Sequence, residues 1–191
     1  SKPSRTEWFY TDTRTRHVGT GYSDHDISGF DECFPTVLPC TYPEGRRKGM
    51  TMEDHGLLWQ QPWQVNVERE QVRMICEAPS IQCRFERTCR LEASSSLRLD
   101  YRINHDGREP LGFVYSAHPL LRASAQTQWI FPEELKTVFV YLTGNVPKLT
   151  DQTWIDWPPP EEMELIGPLS THRGSFAKLF PQKLTTGQAA I

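Results

Sequence analysis

Between Gly29 and Val65 the chain meets a proline or a glycine at eight positions: Gly29, Pro35, Pro39, Pro43, Gly45, Gly49, Gly56 and Pro62. Proline lacks the amide hydrogen a helix needs and clashes with the preceding turn, while glycine costs about 1 kcal/mol in a helix interior. No long helix survives that spacing, so this stretch must be short strands and loops folded over one another. The remainder of the chain points the same way. Leu97, Leu99, Tyr101 and Ile103 alternate with Arg98, Asp100, Arg102 and Asn104, the period of a strand with one apolar face. Two more alternating segments, 65–78 and 80–93, meet at an Ala78-Pro79-Ser80 turn, and their charged positions (Glu68, Arg69, Glu70, Arg73, Arg84, Glu86, Arg87, Arg90) mix both signs as a solvent face does. Further strands are expected over 7–11, 138–142, 176–180 and from 189 onward. Residues 12–28 read as loop, and the stretch after Gly144, with its Pro158-Pro159-Pro160 run, reads as a long excursion. The expected fold is all-β, an antiparallel β-sandwich, with residues 1–191 forming a single domain. That domain is expected to be part of a larger sandwich whose first and last strands lie outside this sequence.

One stretch delivers a chemically useful side chain. The strand 97–104 runs into Asn104-His105-Asp106-Gly107-Arg108-Glu109-Pro110, and Asp-Gly is a strong hairpin signal. A second strand over 111–116 is expected to return and end at Ala117-His118-Pro119. Proline cannot donate to a ladder, so His118 sits beside a strand end or bulge, where polar side chains often face a pocket.

Composition excludes several functions. Net charge is −3 with pI near 6.1, and no Lys/Arg block occurs, so a nucleic-acid partner is not expected. No apolar run approaches the roughly 18 residues a membrane span needs, and a cytoplasmic protein is expected. The five cysteines, Cys33, Cys40, Cys76, Cys83 and Cys89, are odd in number and contain no C-x-x-C pair. They read as small hydrophobes in a reducing compartment rather than as a metal or disulfide framework. Asp24-His25-Asp26 reads as a solvated turn, because adjacent residues in extended chain point to opposite sides. No phosphate loop, G-x-S-x-G elbow or H-E-x-x-H motif is present. Six tryptophans contribute to an aromatic content of 11%. Phe34, Trp59 and Trp63 stand near Asp31, Glu32, Asp54 and His55, the residue types of a sugar-binding rim: rings stack on the C–H face of a pyranose and polar groups take its hydroxyls.

Taken in order, the motifs carry a resemblance. The segment GFDECFPTV, followed by DHGLLWQQPWQV, then YRINHDGREPLGFVYSAHPLL and WIFP, is similar to aldose 1-epimerases and related galactose-mutarotase-like proteins over about residues 29–132. The resemblance implies a supersandwich fold and interconversion of the α and β anomers of a sugar. Within it, His118 matches the family's general acid, which protonates the ring oxygen, and His55 of Asp54-His55-Gly56 matches a histidine that contacts substrate hydroxyls. Asp54, Phe34, Trp59, Asp31 and Glu32, read above as rim residues, complete the expected substrate-binding set. Ring opening needs only a proton given and a proton taken, so no metal or cofactor is implied, and histidine is suited to the task near neutral pH. The family's general base is a glutamate near its C-terminus, so the resemblance assigns no base within these 191 residues. Leu57, Leu58 and Trp59 stand where a hexose-phosphate branch carries an arginine, with Arg46 and Arg47 of the preceding loop as the substitutes on offer, and an unphosphorylated small-molecule carbohydrate is the expected partner. The other reading that these residues allow is a carbohydrate-binding protein of the same fold without catalysis.

Overall fold

The computed structural model describes residues 7–11, 21–24, 28–92, 96–123, 127, 130–144, 146, 148–159 and 176–186. Among these the protein is all-β: eleven strands and four short 3-10 turns, with no α-helix. The strands are β1 (Phe30–Cys33), β2 (Cys40–Thr41), β3 (Thr51–Met52), β4 (Trp63–Val67), β5 (Gln71–Ala78), β6 (Cys83–Glu92), β7 (Ser96–His105), β8 (Ser116–Pro119), β9 (Thr137–Gly144), β10 (Thr153–Asp156) and β11 (Phe176–Pro181). All the strand pairs are antiparallel. The chain, expected as a single domain, divides into two compact units, residues 1–122 and 123–191, because each sheet draws its strands from one continuous part of the sequence.

In the first unit β4–β5–β6–β7 form a four-stranded meander. Directly opposed residues in antiparallel strands share a face, so register sorts the side chains. Trp63 opposes Cys76, Cys76 opposes Phe85, and Phe85 opposes Ile103. That face is apolar and buried: Cys76, Ala78, Cys83 and Phe85 pack against Phe34, just past β1, Met52 of β3, and Leu58 of the turn that follows β3. The opposite face carries an ionic ladder, with Arg73 on Glu86 at 2.7 Å, Arg84 on Glu77 at 3.6 Å and Arg90 on Asp100 at 3.7 Å. The mixed charges thus line solvent as the alternation implies, with one correction. Arg87 opposes Tyr101 on the inner face and pairs with the buried Glu32 of β1.

The expected hairpin over 97–116 does not form. β7 pairs with β6, whereas β8 pairs with β1 in a separate two-stranded sheet. Asp106 donates its N–H back to the Gln82 carbonyl at the start of β6, and Pro110 has no amide with which to extend a ladder. Residues 111–115 then cross over without strand structure: Leu111 and Tyr115 pack on the core and Val114 N–H bonds the Pro35 carbonyl at 2.8 Å. His105, expected in a turn, is the last residue of β7. The segment 7–11 lies alongside the far end of β8, where Phe9 bridges Leu121 and Tyr10 N–H bonds the Leu120 carbonyl at 2.7 Å.

The second unit is a β10–β9–β11 sheet around buried Leu135, Val138 and Val140. β10 falls inside the stretch expected as an excursion, because Thr153–Asp156 has only one partner strand to satisfy and needs no long alternating run. Glu134 ties the end of the unit together by accepting the N–H and O–H of both Thr185 and Thr186. His17, His25, Asp26, Trp129, Pro160, His172 and the strand expected from 189 lie outside the described residues. No helix among the described residues is long and apolar enough to cross a membrane.

Candidate active site

The β1–β8 pair positions the first group of polar side chains. Asp31 opposes His118 and Cys33 opposes Ser116, so these four share one face, while Glu32, opposite Ala117, points to the other. Glu32 is 4% exposed and Phe34 is fully buried. Both were expected on the sugar-binding rim; neither is there. Glu32 accepts from the Arg87 guanidinium and, at 3.1 Å, from the Tyr101 hydroxyl, and Phe34 packs its ring on Phe85 and Phe113. Burial pushes the Glu32 carboxyl up, with Arg87 and Tyr101 pulling against it. Asp31 and Glu32 are neighbours with opposite fates because period 2 sends one to each side of a strand covered on one side only.

His55 arrives from a second element. The turn closes with Gly56 N–H on the Glu53 carbonyl at 3.0 Å, and Leu57 N–H then bonds the Phe34 carbonyl at 2.8 Å, stapling the turn to the end of β1. Gly56 has φ +79°, and a Cβ there would collide with the Phe34 backbone, so the approach requires glycine. His55 itself sits at φ +60°, a conformation that costs a non-glycine residue free energy and recurs at functional sites. Its Nδ1 lies 3.1 Å from Asp54 Oδ1. Trp59 donates its indole N–H to the Asp54 carbonyl at 3.0 Å, one residue past Leu58, which is anchored in the core.

A third element, not anticipated as functional, completes the cluster. Tyr22, in the 3-10 turn Tyr22–Asp24, stacks on His55 with ring centroids 3.7 Å apart and an interplanar angle of 9°, and meets Trp59 edge-on at 5.5 Å. Its hydroxyl donates to Asp31 Oδ2 at 2.9 Å and stands 3.1 Å from His118 Nδ1. Burial, reinforced by the Asp31 charge, raises its pKa far above the ordinary tyrosine range, so the hydroxyl keeps its proton. That single proton goes to Asp31, so His118 Nδ1 must be the donor to Tyr22, and the lone pair of the neutral ring lies on Nε2. The His55 and His118 rings are 5.0 Å apart. Tyr22 lies 96 positions from His118, and its Gly-Tyr-Ser-Asp surroundings mark only a turn, so no local signal could have found it.

No protein-family model, curated protein or solved structure matches this chain.

Of the residues expected in the site, His118, His55, Asp54, Asp31 and Trp59 are brought together, directly or through Tyr22, and Phe34 and Glu32 are not. Trp63 is on the inner sheet face, where its ring meets the Arg87 guanidinium. Arg47 is committed elsewhere, donating to the Ile81 carbonyl and the Gln82 side chain. An apolar groove lined by Thr36, Tyr42, Met52, Leu111 and Phe113 shares no residue with the histidine cluster. Chemically, the cluster offers two half-buried imidazoles, each with Nδ1 beside a carboxylate or a carboxylate-bound hydroxyl. Such a pair can move protons at neutral pH without leaving its ring orientations free.

Proposed function

We propose that this protein is an aldose 1-epimerase-like enzyme that interconverts sugar anomers by acid/base ring opening, with His118 as the proton donor to the ring oxygen. The observation that carries the reading is the meeting of His118 and His55, 63 residues apart in sequence, in one cluster with ring centroids at 5.0 Å. Histidines on opposite sides of the fold would have broken it. In the mechanism, protonated His118 gives the Nε2 proton to the ring oxygen as the C1–O bond opens, while the anomeric hydroxyl loses its proton to a base that the described residues do not assign. Rotation about C1–C2 and re-closure return the proton to His118 and leave the other anomer. Tyr22 and Asp31 hold the His118 ring through Nδ1, and His55, with the Asp54 carboxylate beside it, takes substrate hydroxyls. Trp59 supplies the aromatic wall. The larger galactose-mutarotase-like supersandwich belongs to this same proposal, as does a cytoplasmic setting.

The test is polarimetry on freshly dissolved aldoses, using a panel of unphosphorylated hexoses and pentoses. The protein is expected to speed the optical-rotation change, and His118→Asn to lower kcat by about a hundredfold or more, the usual contribution of a positioned general acid. A panel in which no sugar responds, or a His118→Asn rate equal to wild type, overturns the proposal. Binding of a sugar without acceleration would instead support the non-catalytic carbohydrate-binding reading.

A further inference from the structure

We infer that Cys33, His55 and His118 form a binding site for a borderline-soft divalent cation of the zinc class, held by one thiolate and two imidazoles. Cys33 Sγ and one ring nitrogen of each histidine all lie within 4.8 Å of one another. Ligand atoms around a tetrahedral zinc, at bonds of about 2.0–2.3 Å, are separated by roughly 3.3–3.8 Å. Reaching those separations takes shifts of about 1.0–1.5 Å between the donor atoms.

Two features beyond proximity favour a cation. The three donors come from three elements hydrogen-bonded to one another, β1, its partner β8 and the 53–57 turn stapled to the end of β1, which fixes the cluster before anything binds. His118 also has its Nδ1 held by the Tyr22–Asp31 pair at 3.1 and 2.9 Å, and the Asp54 carboxylate lies 3.1 Å from His55 Nδ1. A carboxylate behind the imidazole, directly or through one hydroxyl, is the arrangement that orients metal-bound histidines and raises their basicity. The thiol and two imidazoles select zinc-like ions over magnesium or calcium, which prefer all-oxygen sets. Cys33 is 1% exposed and the histidines are half-buried, so the ion enters from the histidine side. Binding deprotonates Cys33, its proton passing to solvent as the sulfur lone pair goes to the metal; both imidazoles bind neutral, and water takes the fourth position. A cation on His118 occupies the lone pair that proton transfer needs, so bound metal and acid catalysis exclude each other. The site itself does not depend on the sugar reading.

The test uses the reduced, chelator-washed full chain, titrated with Zn²⁺ against a chromophoric chelator and with Co²⁺ by absorption. One equivalent is expected to bind, and the cobalt form to show a thiolate-to-metal charge-transfer band. Cys33→Ser should abolish that band and weaken zinc binding by on the order of a hundredfold. Cys40→Ser, at an exposed cysteine outside the cluster, should change neither. If circular dichroism shows Cys33→Ser to be unfolded, His118→Gln at its half-buried position serves instead and should weaken zinc binding by at least about tenfold. A cobalt complex without the thiolate band, or a folded ligand variant that titrates like wild type, overturns the inference.

Discussion

Tyr22 is the side chain on which the candidate site turns. Its hydroxyl is shared between Asp31 and His118 and its ring lies flat on His55, so one residue positions both imidazoles. Removing only the hydroxyl separates these two jobs. Tyr22→Phe should keep the stack and lose the Nδ1 partner, releasing His118 from its Nδ1–H tautomer toward the Nε2–H form that an unconstrained imidazole prefers. Nitrogen-15 chemical shifts of the His118 ring report the tautomer directly, and an unchanged tautomer in Tyr22→Phe would show that the hydroxyl does not set it. The accompanying loss of stability should be about 1 kcal/mol, the net worth of one hydrogen bond. His55 and His118 could be singled out from the sequence because each stands in a local context, Asp-His-Gly or Ala-His-Pro, that restricts the backbone. Tyr22 could not, since nothing in its neighbourhood states what its hydroxyl reaches.

At the scale of elements, β1 shows how much a four-residue strand decides. Its period places Asp31 and Cys33 against the histidines and Glu32 against Arg87. The alternation is legible in Phe-Asp-Glu-Cys, but which face is covered is not, and both carboxylates look equally suited to a sugar until the four-stranded sheet is laid beneath one of them. A terminal clamp in the second unit gives a pH-dependent counterpart. Four hydrogen bonds from Thr185 and Thr186 lower the Glu134 carboxyl from its ordinary 4.5 to about 2. A depressed carboxyl contributes stability that is fully present above its unfolded pKa and is lost as pH falls through the folded one, here between about 4.5 and about 2. Carboxyl-carbon NMR should find Glu134 titrating near the lower value in the native protein. Thr185→Val together with Thr186→Val should return it toward the ordinary glutamate range, and a wild-type midpoint already in that range would mean the clamp does not form in solution.

For the molecule as a whole, stability of the first unit rests on one layer of interlocked rings and small hydrophobes. Phe85 is fully buried and touches Phe34, Trp63, Tyr101 and Tyr115, joining the sheet to the loops that carry His55. Phe85→Ala should cost about 3–5 kcal/mol, the transfer free energy of the ring plus the cavity it leaves. Urea denaturation with hydrogen exchange on the β5 and β6 amides measures it; a loss under about 1 kcal/mol would mean the loops, not the sheet, hold this core. What the sequence determined by itself was local: the all-β class, forced by proline and glycine spacing, and the strands whose period 2 is written in consecutive residues. Chain pairing was decided only in three dimensions. A turn signal at Asp106-Gly107 promised a hairpin, yet β8 found β1 across 83 positions of chain, because register depends on which apolar faces remain to be covered after the meander has closed. The same closure brought Tyr22 to His118 and Cys33 to both histidines, juxtapositions that no window of sequence contains.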